Sequence, residues 1–126
     1  MEKITTFKEY EENAYGMRFS LNRFLVKHPG LPKEVIELLA VAYDGLGLGE
    51  AGEIQDKIKK IIRDDGGVIT DEHREALKLE IGDCLYYLAS MCQNLGFTLE
   101  DAANGNIKKI NGRRARKTLH GSGDNR

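Results

Sequence analysis

Apolar residues recur along the chain at steps of three and four, and almost nowhere alternate with polar ones. That periodicity predicts helices and argues against strands. The clearest run is "DEHREALKLEIGDCLYYLASMCQNLG", where Leu77, Ile81, Cys84, Leu88, Met91 and Leu95 line up as one stripe. Thr70 or Asp71 is placed to cap its start and Gly96 to end it. Upstream, a longer helical segment is expected from about Lys33 to Arg63, opened by Pro32 in its first turn and stopped by "DDGGVIT". An N-terminal helix is expected in "TTFKEYEENAYGMRFSL", capped by Thr5 or Thr6 and carrying Phe7, Tyr10 and Ala14 on one side. Pro29, Gly30 and Pro32 then mark a turn. The last helix is "TLEDAANGNIKKINGRR", with Thr98 as cap and Glu100 and Asp101 in a first turn that favours negative charge. The expected fold class is all-α.

The middle of the long segment reads "GLGLGEAGEIQDK", in which Gly47, Gly49 and Gly52 match the dinucleotide fingerprint G-x-G-x-x-G. That fingerprint needs a strand leading into the turn. Here the preceding "LPKEVIELLAVAYDG" is helical in character, and Glu50 would place a negative charge inside the phosphate cradle. Dinucleotide binding is therefore set aside. Each glycine in a helix costs about 1 kcal/mol relative to alanine, so Gly45, Gly47, Gly49 and Gly52 imply a local break or a close approach. They are expected to make room beside Glu50 and Glu53.

At 126 residues with a formal net charge of −1, the chain is expected to form one domain, and bulk charge does not point to nucleic acid or an anionic membrane. The basic stretch "GRRARKTLHGSGDNR" is the exception. The charged N-terminus and the lack of a long apolar run imply no membrane association and a cytoplasmic protein. Cys84 and Cys92 fall on one expected helix, roughly 12 Å apart at 1.5 Å per residue, too far for a disulfide. They are expected as core thiols, and with three scattered histidines they make no metal site of their own.

Candidate chemistry lies in two acid pairs. Glu50 and Glu53 share one helix face, as do Glu80 and Asp83. Glu50, Glu53, Lys57 and Lys60 form a strip beside the apolar line Ala51, Ile54, Ile58 and Ile61, and Tyr87 continues the row of Glu80 and Asp83. If the two helices pack antiparallel, the four carboxylates meet at one rim. Their repulsion calls for a cation, and an all-oxygen donor set suits Mg²⁺ or Mn²⁺. The other reading of each pair is a solvated helix face, some of it paired with Lys57 or Lys60. Asn106, Lys109 and Arg113 share a face of the last helix, with Arg116 and Arg126 beyond; together with Lys57 and Lys60 they are candidate phosphate-binding residues. Tyr86 and Tyr87 are candidates to pack on a base.

In "EAGE", "LEIGDCLYYLA", "LGFTLEDAANGNIKKI" and "GSGDNR" the chain resembles the MazG-like all-α nucleoside triphosphate pyrophosphohydrolases, whose relatives include dimeric dUTPases and dCTP pyrophosphatases. The family pattern is E-x-x-E followed, after a variable gap, by E-x-x-D. The resemblance implies a four-helix-bundle-type protomer assembling as a homodimer or homotetramer. It implies hydrolysis of an NTP or dNTP to the monophosphate and pyrophosphate, with Mg²⁺ on Glu50, Glu53, Glu80 and Asp83 and phosphate on Asn106, Lys109 and Arg113. The expected organisation is a single domain over 1–126, with an N-terminal helix and turn at 1–32, a helical catalytic core at 33–112 and a basic tail at 113–126. Water would attack the α-phosphorus, activated by Glu53 or Glu50. Two other classes remain open: a non-enzymatic nucleotide- or nucleic-acid-binding module using the basic tail, and a structural helical dimer whose acid pairs are surface decoration.

Overall fold

The computed structural model describes residues 3–15 and 25–117. Among these the elements are α1 (Phe7–Tyr15), α2 (Lys33–Gly47), a 3₁₀ turn (Leu48–Glu50), α3 (Ala51–Asp64), α4 (Asp71–Asn94) and α5 (Leu99–Ala115), with no strand among the described residues. The chain is all-helical, as the three- and four-residue periodicity predicts.

Local chemistry sets the helix starts. Thr6 Oγ1 accepts from the Glu9 N–H at 3.1 Å while the Glu9 carboxylate accepts from the N–H groups of Thr5 and Thr6. Thr98 and Asp101 make the same reciprocal exchange at 3.0 Å in both directions. At α4 the cap is Thr70, and His73 replaces the usual acid: its Nδ1 accepts from the Thr70 N–H at 3.2 Å. Gly96, at φ 83°, ends α4: its N–H reaches the Gln93 carbonyl at 3.1 Å and that of Phe97 reaches Cys92 at 3.0 Å. A left-handed residue is required there, which is what glycine supplies. Pro32 stands as the cap residue before α2 rather than inside its first turn, in an extended conformation (φ −55°, ψ 143°) that the helix cannot continue.

Glycines at 45–52 bend the backbone less than a break would. Gly47, Glu50 and Ala51 all keep right-handed helical dihedrals, so the chain tightens through one 3₁₀ turn and resumes as α3. Of this cluster only Gly47 answers a close approach: a Cβ there would land on the Tyr87 ring, 2.5 Å from Cδ1, whereas Gly45, Gly49 and Gly52 face open space.

Helix α4 is the centre of the molecule and touches every other helix, while α1 also packs on α5. The buried apolar residues are small or lie on few turns: Ala14, Ile36, Ala40, Ile61, Ala89 and Cys92. The stripe expected on α4 is displaced. Ile81 is 56% exposed, and Leu88 and Leu95 are exposed too, while Leu77, Cys84 and Met91 are half-buried; the face turned to α2 carries Tyr87, Ser90 and Asn94. On α3, Ile61 is buried and Ile58 exposed. Both cysteines are free thiols; Cys92 is buried and burial pushes its pKa up. Helix α5 runs on to Ala115, so Arg113, expected at the start of a tail, is a buried helical residue.

Candidate functional site

The two acid pairs ride on helices that run in opposite directions past one another. As residue numbers rise through α2, the 3₁₀ turn and α3, their partners on α4 fall. Asp44 accepts from Ser90 Oγ at 2.7 Å and from Asn94 Nδ2 at 3.1 Å, Gly47 meets Tyr87, and Lys57 Nζ stands 3.3 Å from Glu80 Oε1. This register sets Glu50 and Glu53 opposite the turn of α4 that carries Glu80 and Asp83.

Between them sits the half-buried Tyr87. Burial raises its hydroxyl pKa, and the charges of Glu50 and Asp83, with Asp44 and the neighbouring Tyr43, push it the same way. Glu50 and Asp83 therefore feel one hydroxyl from opposite helices. Tyr10 of α1 is also raised, first by burial and then by Tyr86 and Asp83, which brings α1 to the same edge. The rings of Tyr86 and Tyr87 meet edge to face, with centroids 5.4 Å apart. One side of the Tyr87 ring is taken by Gly47.

Lysines lie among the acids. Glu80 is only 18% exposed along its side chain and holds Lys57 from the facing helix. Glu53 is exposed and lies near Lys60, whose ammonium is raised chiefly by its hydrogen bond to Asp56, with smaller help from Glu53. Asp56 takes both Lys59 and Lys60, which lower its pKa to about 2. No three His, Cys, Asp or Glu side chains among the described residues are arranged to hold a metal ion as they stand. The donors are nonetheless of one kind, carboxylate oxygens on facing turns, which is the set a hard divalent cation takes.

Lys57 also lines a cavity of about 190 Å³ with Lys60, Ile61, Asp65, His73 and Ala76. His73 Nε2 there stands 3.4 Å from Asp65 Oδ2. The remaining phosphate candidates are on another element: Asn106 and Lys109 are exposed on α5, Arg113 is buried on it, and Arg116 caps its end. Arg126 lies outside the described residues.

Two residues of the site's framework escape a reading based on motifs. Asp44 is fully buried, and its signal was the row Ile36, Ala40, Asp44, which puts a carboxylate at the end of an apolar line. Glu11, 4% exposed, accepts from the Leu99 N–H at 2.6 Å and so ties α1 to the start of α5. Nothing local to "KEYEEN" distinguishes Glu11 from its neighbours.

No helix among the described residues is long and apolar enough to cross a membrane. Residues 46–117 match the MazG nucleotide pyrophosphohydrolase domain. The chain is also 45% identical over 87 residues, 68% of its own length and 76% of the relative's, to "Gene 37 protein" of Mycobacterium phage L5. No solved structure matches it. The matched segment contains both acid pairs, the 3₁₀ turn between α2 and α3, and all of α4 and α5, and the chain belongs to the MazG nucleotide pyrophosphohydrolase family.

Proposed function

We propose that this chain is a divalent-cation-dependent nucleoside triphosphate pyrophosphohydrolase, converting an NTP or dNTP to the monophosphate and pyrophosphate. The observation that supports it is the antiparallel register that sets the turn of Glu50 and Glu53 against that of Glu80 and Asp83, inside the segment matched to the family. Glu50, Glu53, Glu80 and Asp83 would hold Mg²⁺, with Mn²⁺ as a substitute. Bound there, such an ion supplies neutralisation of the triphosphate and a more acidic water. Glu53, exposed at the rim, takes the proton as water oxygen bonds to the α-phosphorus and the bond to the bridging oxygen of pyrophosphate breaks. Lys57, Lys60, Asn106, Lys109 and Arg113, with Arg116 and Arg126 beyond, bind phosphate oxygens. Tyr86 presents its ring to the base; with Gly47 against one side, Tyr87 serves as a wall rather than a sandwiching ring.

A second copy of the chain belongs to this reading. Helix α2 buries Ile36 and Ala40 on one side and exposes Val35, Leu38, Leu39 and Leu46 on the other, while α4 exposes Ile81, Leu88 and Leu95. A helix apolar on both sides is one meant to be covered on both sides. We assign that cover to a homodimer or homotetramer, checked by sedimentation equilibrium.

The reaction is tested with the ordinary NTPs and dNTPs and Mg²⁺, with and without EDTA, resolving pyrophosphate from orthophosphate. Cation-dependent pyrophosphate with a nucleoside monophosphate is the expected result. Orthophosphate with a diphosphate, or turnover indifferent to EDTA, overturns the proposal.

A further inference from the structure

Lys57 differs from the lysines around it. Lys59 and Lys60 both bond to Asp56 on their own helix, at 2.8 and 2.6 Å, and neither forms an ion pair with a member of the two acid pairs, although Lys60 lies near Glu53. Lys57 reaches across to α4 and takes Glu80, a member of the second pair, at 3.3 Å. It is therefore a positive charge resting on one member of the carboxylate cluster. The same side chain lines the cavity that holds Lys60 and His73, where Asp65, paired with His73, is the one acid on the lining.

We propose that Lys57 is the resident cation of the unliganded carboxylate cluster, so that a divalent cation binds only by displacing it from Glu80, and the displaced ammonium then serves phosphate in the adjoining cavity. The proposal rests on the cation-dependent reading of the cluster given above. A partly exposed ion pair is weak, so its displacement is easy. A lysine is a point charge on a flexible stem, able to pivot between two positions without backbone movement. Once Glu80 serves a divalent ion, the ammonium is repelled from the cluster, and the cavity is the place its own helix already offers. The two binding events are then linked: metal raises affinity for phosphate, and phosphate raises affinity for metal, by the same factor.

The test uses the full chain without nucleotide. Mn²⁺ binding is followed by the loss of the free-ion electron paramagnetic resonance signal, with helical circular dichroism confirming that each variant is folded. Lys57→Met is expected to bind Mn²⁺ roughly three- to ten-fold more tightly than the wild type, since a competing charge is gone. Lys57→Arg keeps near wild-type affinity, and Lys59→Met changes it by less than about two-fold. In calorimetry with inorganic phosphate, Mg²⁺ is expected to strengthen binding to the wild type and not to Lys57→Met. Mn²⁺ affinity unchanged or weakened in Lys57→Met overturns this proposal alone, as does a Mg²⁺ effect on phosphate that survives in that variant. A wild-type chain that binds no Mn²⁺ removes the cation-dependent reading of the cluster, and this proposal with it.

Discussion

Helix α4 is gripped along one half and left open along the other. Toward its C-terminal end the contacts with α2 are close and dry: Asp44 is fully buried between Ser90 and Asn94, and Gly47 lies directly on the Tyr87 ring. Toward its N-terminal end the partner is α3, and the contacts are charged and partly wet, with Lys57 on Glu80 and an open cavity between Lys60 and His73. The 3₁₀ turn at Leu48–Glu50 falls where one regime gives way to the other. The candidate site lies where tight packing stops, so that the packed half fixes the backbone positions of acids at the edge of the open half. If so, substitutions in the open half should remove activity and spare the fold, and substitutions in the closed half should do the reverse.

The largest effect is expected in the open half. Asp83→Asn or Glu53→Gln should lower kcat/KM by about a thousand-fold or more, equivalent to roughly 4 kcal/mol of transition-state stabilisation. Unfolding free energy should change by less than about 0.5 kcal/mol, as for other exposed positions. Both residues are exposed, and urea denaturation beside steady-state kinetics reads the two quantities on one preparation. Activity within ten-fold of wild type for either variant would take that acid out of the proposed chemistry.

In the closed half the expected loss is of stability. Asp44→Ala strands the Ser90 hydroxyl and the Asn94 amide at a buried contact, and should cost about 3 kcal/mol by urea denaturation. Next comes Gly47→Ala, which drives a methyl into the Tyr87 ring and should cost about 2 kcal/mol. If the clash is with that ring and not with the backbone, Tyr87→Ala in the same chain should absorb most of the penalty, giving a coupling of about 1 kcal/mol or more in a double-mutant cycle. Additive losses would mean that Gly47 serves the 3₁₀ turn itself.

How much of this was legible beforehand follows the same division. Helix starts were legible, at Thr98 and at Thr70 or Asp71, because a capping side chain bonds to its own first turn, an interaction that needs no knowledge of the rest of the fold; that Thr70 is the cap and His73 its partner is seen only in the structure. The acid pairs were legible as pairs, since helical spacing alone puts Glu50 with Glu53 and Glu80 with Asp83. Which face of α4 is buried was not. The expected stripe is half-buried at Leu77, Cys84 and Met91 and exposed at Ile81, Leu88 and Leu95, because α2 takes the face of Tyr87, Ser90 and Asn94, where Asp44 offers a polar partner and Gly47 a hollow. Burial on a helix apolar on several sides depends on what the neighbour presents. Asp44 itself, a single carboxylate in an apolar row, carries no motif, and the pairing of Lys57 with Glu80 joins two elements whose register no local pattern encodes.

The smallest predicted effect concerns the ends of the helices, which belong to neither half. Asp101 and Glu9 have pKa values below the ordinary carboxylate range, in each case first because a backbone N–H donates to the ionised form. Asp56, held by Lys59 and Lys60, is lowered to about 2. A carboxyl whose pKa is depressed on folding contributes stability above its unfolded value, and that contribution is lost as pH falls through the folded value. Titration from pH 7 should therefore leave stability nearly flat until about pH 4, the ordinary carboxylate range, and then reduce it steadily toward pH 2, read by urea denaturation at each pH. Asp101→Asn should remove part of that acid slope while lowering stability at pH 7 only slightly, since its carboxylate is exposed and the Thr98 hydroxyl still accepts from the N–H of residue 101. An acid slope that Asp101→Asn leaves untouched would move the responsible protons from the Thr98 cap to other lowered carboxyls such as Asp56 and Glu9.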